Sequence, residues 1–312
     1  MPLVTTFTLC YYTKAEFVIA AIDSIFNQTY KNIEHIIIND APDDNIEWPL
    51  IKKHIIEKGY NSIIIEHAQN QGITKNLNEI TTNAKGTYLC GCSDDLWEPT
   101  YIEKQVNFFN KQSKDTAAVF SDLIVINDKG ETIEEMFFDQ KIDLENTSSN
   151  EQFEYILKNN FVFVPAALWT KDATLHVGKY SENLYAEDYQ IWVKLLLNGY
   201  KIRYNNIREV KYRRRQGAIS NTYESSGKMA LDRCRLFHQT KTITTHSLWQ
   251  EVEPIYYKFV KKVIAHPKLT HQVKEEIAKN AFHDLSYSYI YVLRLISLFY
   301  LYRIPLINKK LS

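Results

Sequence analysis

The chain has 312 residues, enough for one large domain or for a domain with a smaller appendage. Lysine plus arginine equal aspartate plus glutamate at 37 each, so no global field points to nucleic acid, and none is expected as a partner. Hydrophobic residues make up an ordinary 45%, but tyrosine, at 21, is abundant and clusters late in the chain.

The first half alternates strand and helix. Residues 4–9 read as a strand, and 15–28 as a helix with Phe17, Val18, Ala21, Ile22, Ile25 and Phe26 on one broad face. A short apolar strand at 33–38 ends in Asn39-Asp40. Residues 46–58 read as a helix that Gly59 terminates, 62–66 as a third strand, and 72–84 as a helix carrying Leu77 and Ile80. A strand at 87–92 then runs into Ser93-Asp94-Asp95. This order predicts an α/β fold with a mostly parallel central sheet flanked by helices, and ligands in such sheets bind beyond the carboxyl ends of the strands.

Past Asp95 the pattern loosens. Residues 99–112 read as a helix, 117–127 as a strand, and 128–130 as a turn before a return strand reaching Phe138. Residues 146–150 read as a polar linker, 161–169 as an apolar strand, and 187–197 as a helix closed by Asn198-Gly199. Strands are expected at 200–204 and 210–213. From about residue 223 the chain reads as helical, over 225–240, 248–265 and 270–301. We expect two parts: a catalytic domain over 1–222, and a helical C-terminal extension over 223–312 that serves acceptor, oligomer or membrane contact.

Cys10, Cys90, Cys92 and Cys234 show no zinc-like spacing, and reduced thiols are expected. The start, Met1-Pro2-Leu3-Val4-Thr5-Thr6-Phe7, runs straight into a strand without a basic region and apolar signal core. This leads us to expect a cytoplasmic protein.

Two adjacent carboxylates at a strand exit repel one another, and burying either alone is costly. A divalent cation on a diphosphate removes the conflict, because Mg²⁺ and Mn²⁺ favour a few carboxylate oxygens plus phosphates. The bland reading of Asp94-Asp95 is a solvated turn or a helix cap before Pro99.

Several stretches together resemble family 2 of the inverting, nucleotide-sugar-dependent glycosyltransferases, which have the GT-A fold. They are Phe7 to Ala15, Ala21 to Tyr30, Ile36 to Ala41, Asn70-Gln71-Gly72 with Asn76, Gly86-Thr87-Tyr88 leading into Ser93-Asp94-Asp95, and Ala186-Glu187-Asp188-Tyr189-Gln190-Ile191-Trp192. The resemblance covers about residues 3–221, and members like this chain commonly build bacterial surface polysaccharides.

The resemblance implies a UDP-sugar donor, a saccharide or lipid-linked glycan acceptor, and a Mn²⁺ or Mg²⁺ cofactor. Nucleotide contacts fall to Tyr11, Asp40, Lys75 and Asp94, with Asp94 and Asp95 at the metal. Asp188 becomes the general base that deprotonates the acceptor hydroxyl. Glu187 and Trp97 are acceptor-side candidates, and Tyr185 and Trp192 could also stack on a sugar. Against these stand an Asx turn at Asp40, helix N-terminal charge at Glu187-Asp188, and ordinary core roles for the tryptophans. One departure matters. Where the family often shows Tyr-Arg-x-His, this chain has Tyr212-Arg213-Arg214-Arg215, and an arginine suits phosphate, not metal.

The segment 287–307 is apolar and aromatic but broken by Arg294 and Arg303, which leaves uninterrupted apolar runs too short for a spanning helix. It suits either peripheral membrane contact, with Lys309 and Lys310 at anionic lipid, or packing across a homo-oligomer interface. Two other functions compete with transfer. A sugar-phosphate nucleotidyltransferase needs a glycine-rich first loop, which Leu9-Cys10-Tyr11-Tyr12-Thr13-Lys14 lacks. A non-catalytic glycan-binding or scaffolding relative would have no need of Asp40, Asp94, Asp95 and Asp188.

Overall fold

A computed structural model describes residues 1–158, 160–182, 184, 186–215 and 226–285. The chain divides into two compact units, residues 1–183 with 187–215, and residues 184–186 with the chain from 216 onward.

In the first unit, strands β1 (Val4–Cys10), β2 (Ile33–Asn39), β3 (Ser62–Glu66) and β4 (Tyr88–Gly91) lie parallel in the order β4-β1-β2-β3. Helices α1 (Ala15–Phe26), α2 (Glu47–Lys58) and α3 (Ile73–Asn83) connect them. Ile36, Ile37 and Ile38 are all buried, as continuous apolar runs are in a sheet covered on both faces. The stripe read on α1 is its buried face, and Gly59 closes α2 in the left-handed region at φ 63°. Gly86 is required by close approach: a Cβ there would lie 2.5 Å from the Thr5 backbone nitrogen.

Beyond β4 the sheet is mixed. Its full order is β10-β6-β9-β4-β1-β2-β3, where β9 (Ala167–Thr170) runs antiparallel between β4 and β6 (Thr116–Ser121), and β10 (Lys201–Asn205) lies parallel to β6. The strand expected over 161–169 is therefore mostly not strand. It enters through a 3-10 turn, Val164–Ala166, around Pro165, which has no N–H for a ladder.

The strand expected over 117–127 is two strands. β7 (Leu123–Ile126) belongs to a second sheet with β5 (Leu96–Trp97), β11 (Val210–Arg213) and β8 (Thr132–Met136), in the order β5-β11-β7-β8. The switch is at buried Asp122. Its Oδ1 accepts the Phe138 N–H at 2.8 Å and its Oδ2 accepts the Tyr204 hydroxyl at 2.7 Å, so the chain turns out of the first sheet there. The expected linker at 146–150 starts a helix instead, α5 (Ser149–Lys158). Ser148 and Glu151 form a reciprocal cap, with the Ser148 N–H donating to Glu151 Oε2 at 2.8 Å and the Glu151 N–H donating to Ser148 Oγ at 3.3 Å. Helices α4 (Tyr101–Phe109), α6 (Lys171–His176) and α7 (Glu187–Leu197) complete the unit's described helices.

In the second unit, α8 (Lys228–Ile243), α9 (His246–Ile264) and α10 (His271–Asp284) pack on one another around Cys234, Phe237, Trp249, Tyr256 and Ile277. Thr245 and Thr270 cap the last two helices through their hydroxyls. The apolar segment 287–307 lies outside the described residues. Among the described helices none is long and apolar enough to cross a membrane. All four cysteines are free and buried.

Candidate active site

The carboxyl edge of the parallel strands gathers the sequence candidates. Tyr11 follows β1, Asp40 follows β2, and Asp94-Asp95 follow β4. The Asp40 N–H donates to the Cys10 carbonyl at 2.9 Å, which sets the ends of β1 and β2 side by side. Tyr11 is exposed, and its ring meets Tyr12 edge-on at 4.9 Å. Tyr12 itself holds φ 47°, a left-handed conformation that costs a non-glycine residue about 1–3 kcal/mol.

Asp40 is only 3% exposed and lies among donors. Its Oδ1 accepts the Gln71 N–H at 2.8 Å and lies 3.0 Å from His67 Nδ1, and its Oδ2 accepts the Gly72 N–H at 2.8 Å. Burial alone would raise the Asp40 carboxyl, but the hydrogen bonds from Gln71, His67, Gly72 and Asn76 together outweigh it and hold it below its ordinary range. The Asx turn weighed for Asp40 belongs to its neighbour, since Asn39 Oδ1 accepts the Ala41 N–H at 3.1 Å. Asp40 therefore fixes the 67–72 loop and the first turn of α3, on which Lys75 stands exposed. A base N–H reaching this carboxylate would have to compete with those donors. His67 also lies 2.9 Å from Glu79 Oε2, so both of its nitrogens face carboxylates.

Asp95 is buried at the start of the second sheet, and its Oδ1 accepts the Arg213 N–H at 2.7 Å. Burial and the adjacent Asp94 charge push its carboxyl well up, and the Arg213 N–H with the Arg213 and Arg215 charges pulls the other way. Asp94 is more open. Its Oδ2 accepts Arg215 Nε at 2.8 Å and its carbonyl accepts Arg213 Nε at 2.9 Å. Arg213 is buried, stacks over Phe17 at 4.4 Å, and also donates to the Asn127 and Asp128 carbonyls. Arg213 thus braces the aspartate pair, while Arg215 carries a charge to its open side.

Asp188 stands in the first turn of α7, half-buried. Its Oδ2 accepts Asn160 Nδ2 at 3.1 Å and its Oδ1 accepts the Tyr189 N–H at 2.6 Å. Burial raises its carboxyl above the ordinary range against those two hydrogen bonds, which is the direction a general base needs. Glu187, half-buried beside it, opens the helix.

Trp97 is not available to stack on a sugar. It is buried, its indole N–H donates to the Pro165 carbonyl at 2.7 Å, and its ring lies tilted 5.1 Å from Tyr101. Its alternation in β5 turns it inward. Trp192 is fully buried against Trp169 as well. Tyr185 and residues 216–220 lie outside the described residues.

Tyr212 joins the site without having been a candidate from its sequence pattern. This half-buried phenol feels the charges of Asp95, Asp94 and Asp188 together, and burial with those charges pushes it up to about 12. The aspartate pair and the base candidate, distant in sequence, therefore both bear on the same phenol. The only signal in the sequence was the Tyr-Arg pattern itself.

The family model for glycosyl transferase family 2 matches residues 6–168. The chain belongs to glycosyl transferase family 2. The matched span takes in Asp40 and the aspartate pair and ends before Asp188. An uncharacterised glycosyltransferase of Rickettsia typhi is 30% identical over 59% of this chain and 56% of its own, so the chain spans little more than half of that relative. The O-antigen biosynthesis glycosyltransferase WbnJ of Escherichia coli is 29% identical over 73% of this chain and 87% of its own. WfaP of the same species, a UDP-Glc:α-D-GlcNAc-diphosphoundecaprenol β-1,3-glucosyltransferase, is 28% identical over 70% and 80%. Among solved structures, Staphylococcus aureus TarS 1–349 with UDP superposes at TM-score 0.63 with 13% identity, over 96% of this chain and 91% of that one. The mannosyltransferase PcManGT of Pyrobaculum calidifontis, in complex with GDP-Man and Mn²⁺, gives TM-score 0.58 with 12% identity over 99% and 83%. The fold is GT-A.

Among the described residues no group of three or more His, Cys, Asp or Glu could hold a metal. The family 2 chain therefore offers two hard carboxylates, Asp94 and Asp95, and each uses one oxygen elsewhere. That donor set suits a hard divalent cation whose other ligands are diphosphate oxygens and water.

Proposed function

We propose that this chain is an inverting hexosyltransferase that moves a sugar from a UDP-sugar to a hydroxyl of a saccharide or lipid-linked glycan. The observation that carries the reading is the set of held carboxylates, Asp95 on the Arg213 N–H, Asp94 on the Arg215 guanidinium and Asp188 on the Asn160 amide. Single displacement needs an anion-side clamp and a base on opposite sides of the transferred ring, and these carboxylates supply one of each. UDP is favoured because WfaP is named for a UDP-Glc donor, and because TarS has been solved with UDP and with UDP-GlcNAc.

Asp95 and Asp94 would hold Mn²⁺ or Mg²⁺, whose charge offsets that of the leaving diphosphate. Arg213 keeps Asp95 in place through its N–H. Arg215 puts a guanidinium beside Asp94, within reach of a phosphate on the same side. Asp40 orders the 67–72 loop so that Lys75 and Tyr11 flank the nucleotide. Asp188 takes the acceptor proton as that oxygen attacks the anomeric carbon. Asn160 holds one of its oxygens in place, and Glu187, next to it at the helix start, would meet the acceptor. A lipid-linked acceptor would put the reaction at the inner face of the cytoplasmic membrane, with residues 1–222 catalytic and 223–312 the helical extension.

Titration calorimetry of UDP with and without Mn²⁺, on the wild type and on Asp95→Ala, tests this. The reading expects Mn²⁺-dependent binding that the substitution abolishes while the protein stays folded. UDP binding that ignores both Mn²⁺ and Asp95 would remove the clamp from the mechanism.

A further inference from the structure

Tyr212 occupies a position that the aspartates leave unexplained. On β11, Lys211 and Arg213 point to one face: Lys211 Nζ pairs with Glu98 at 2.7 Å, and the Arg213 guanidinium lies over Phe17. Strand alternation turns Tyr212 to the other face, where its ring meets Phe163 at a centroid distance of 5.8 Å. The preceding residues carry the base. Asn160 holds Asp188, and the Val162 carbonyl accepts the Trp192 indole N–H at 3.1 Å, which pins α7 to this segment. On the other side, the peptide that follows Tyr212 supplies the N–H held by Asp95. Tyr212 is thus tied to the clamp through the peptide that follows it, and its ring packs on the segment that holds the base.

The described residues give the Tyr212 hydroxyl no hydrogen-bond partner, and the phenol keeps its proton at neutral pH, so it is a donor. In a single displacement the transferred ring lies between the leaving diphosphate and the base. A donor whose peptide adjoins the clamp and whose ring packs on the base-bearing segment is placed for the sugar that lies between them.

We propose that the Tyr212 hydroxyl donates a hydrogen bond to a hydroxyl of the transferred hexose and so contributes to the choice of donor sugar. This rests on the displacement reading above. A neutral hydrogen bond of this kind contributes about 2- to 13-fold in affinity.

The test is Tyr212→Phe, which keeps the ring against Phe163. The folded protein is titrated in Mn²⁺ with UDP, UDP-glucose and UDP-N-acetylglucosamine. The expected result is unchanged UDP affinity, with a loss of about 2- to 13-fold on whichever sugar nucleotide the wild type binds best. A merely structural role would lower UDP and UDP-sugar affinity together, and that result, or no change in either, overturns the proposal. If the wild type binds no UDP at all, the donor reading itself fails, and this inference fails with it.

Discussion

Replacing Asp40 by asparagine keeps its shape and removes its charge. The carboxylate accepts the Gln71 and Gly72 N–H groups at 2.8 Å each, and His67 at 3.0 Å, at a site 3% exposed. An asparagine oxygen can keep one or two of these, but its NH₂ then faces an N–H. Losing one charge-assisted hydrogen bond costs about 1.5–3 kcal/mol, and an orphaned buried N–H adds about 1–3 kcal/mol. We therefore expect Asp40→Asn to destabilise the first unit by about 2.5–6 kcal/mol, a fall of roughly 5–24 °C in Tm for a domain of this size. Urea denaturation at constant slope reads the same number.

The pH dependence supplies a second readout. Asp40 is held below its unfolded value, so its contribution is present above the unfolded pKa and lost as pH falls through the folded one. Burial lowers His67, but its bonds to Asp40 and Glu79 outweigh that and raise it. Its contribution is complete below the unfolded pKa and lost as pH rises through the folded one. Wild-type stability should fall on both sides, and Asp40→Asn should flatten both limbs. A destabilisation under about 0.5 kcal/mol with both limbs intact would refute the anchoring role.

Other consequences can be measured directly. Because Asp188 is raised, the acid limb of kcat/KM should have its midpoint above the ordinary aspartate range, and Asp188→Asn should cut turnover about 10²–10⁴-fold without weakening UDP binding. An acid limb in the ordinary range would contradict the burial argument. Arg215→Ala should weaken UDP about tenfold or more while sparing uridine, if Arg215 meets the diphosphate; equal losses for both ligands would place it elsewhere. Gly86→Ala must displace the backbone of β1, since its Cβ would lie 2.5 Å from Thr5 N and 2.9 Å from Leu3 O, and it should cost about 1–3 kcal/mol in denaturation. A neutral result would show that the turn moves freely.

The first four strands and three helices were legible because their apolar periods and terminating residues agree. The place of Asp94-Asp95 at a strand exit was legible because the apolar run before them ends there. The antiparallel β9 was not legible. Residues 161–169 are apolar throughout, and such a run does not say how much of it pairs or in which direction. Asp122 divides β6 from β7 through its bonds to Phe138 and Tyr204, partners that are distant in sequence. Helix α5 was legible in principle, since Ser148-x-x-Glu151 is a capping box, but its polar start disguised it. Trp97 misled because it follows the metal motif, while its indole N–H finds Pro165 far along the chain. Tyr212 was hidden for the same reason: its neighbours come from three separated segments.

Proton NMR of turnover tests the central claim most directly. The wild type and Asp188→Asn are followed with UDP-glucose and UDP-N-acetylglucosamine on a lipid-diphosphate-linked N-acetylhexosamine acceptor, reading the new anomeric proton. The account expects a β-linked product from the α-linked donor, and almost none from the variant. An α-linked product, or equal turnover by Asp188→Asn, would contradict single displacement with Asp188 as the base.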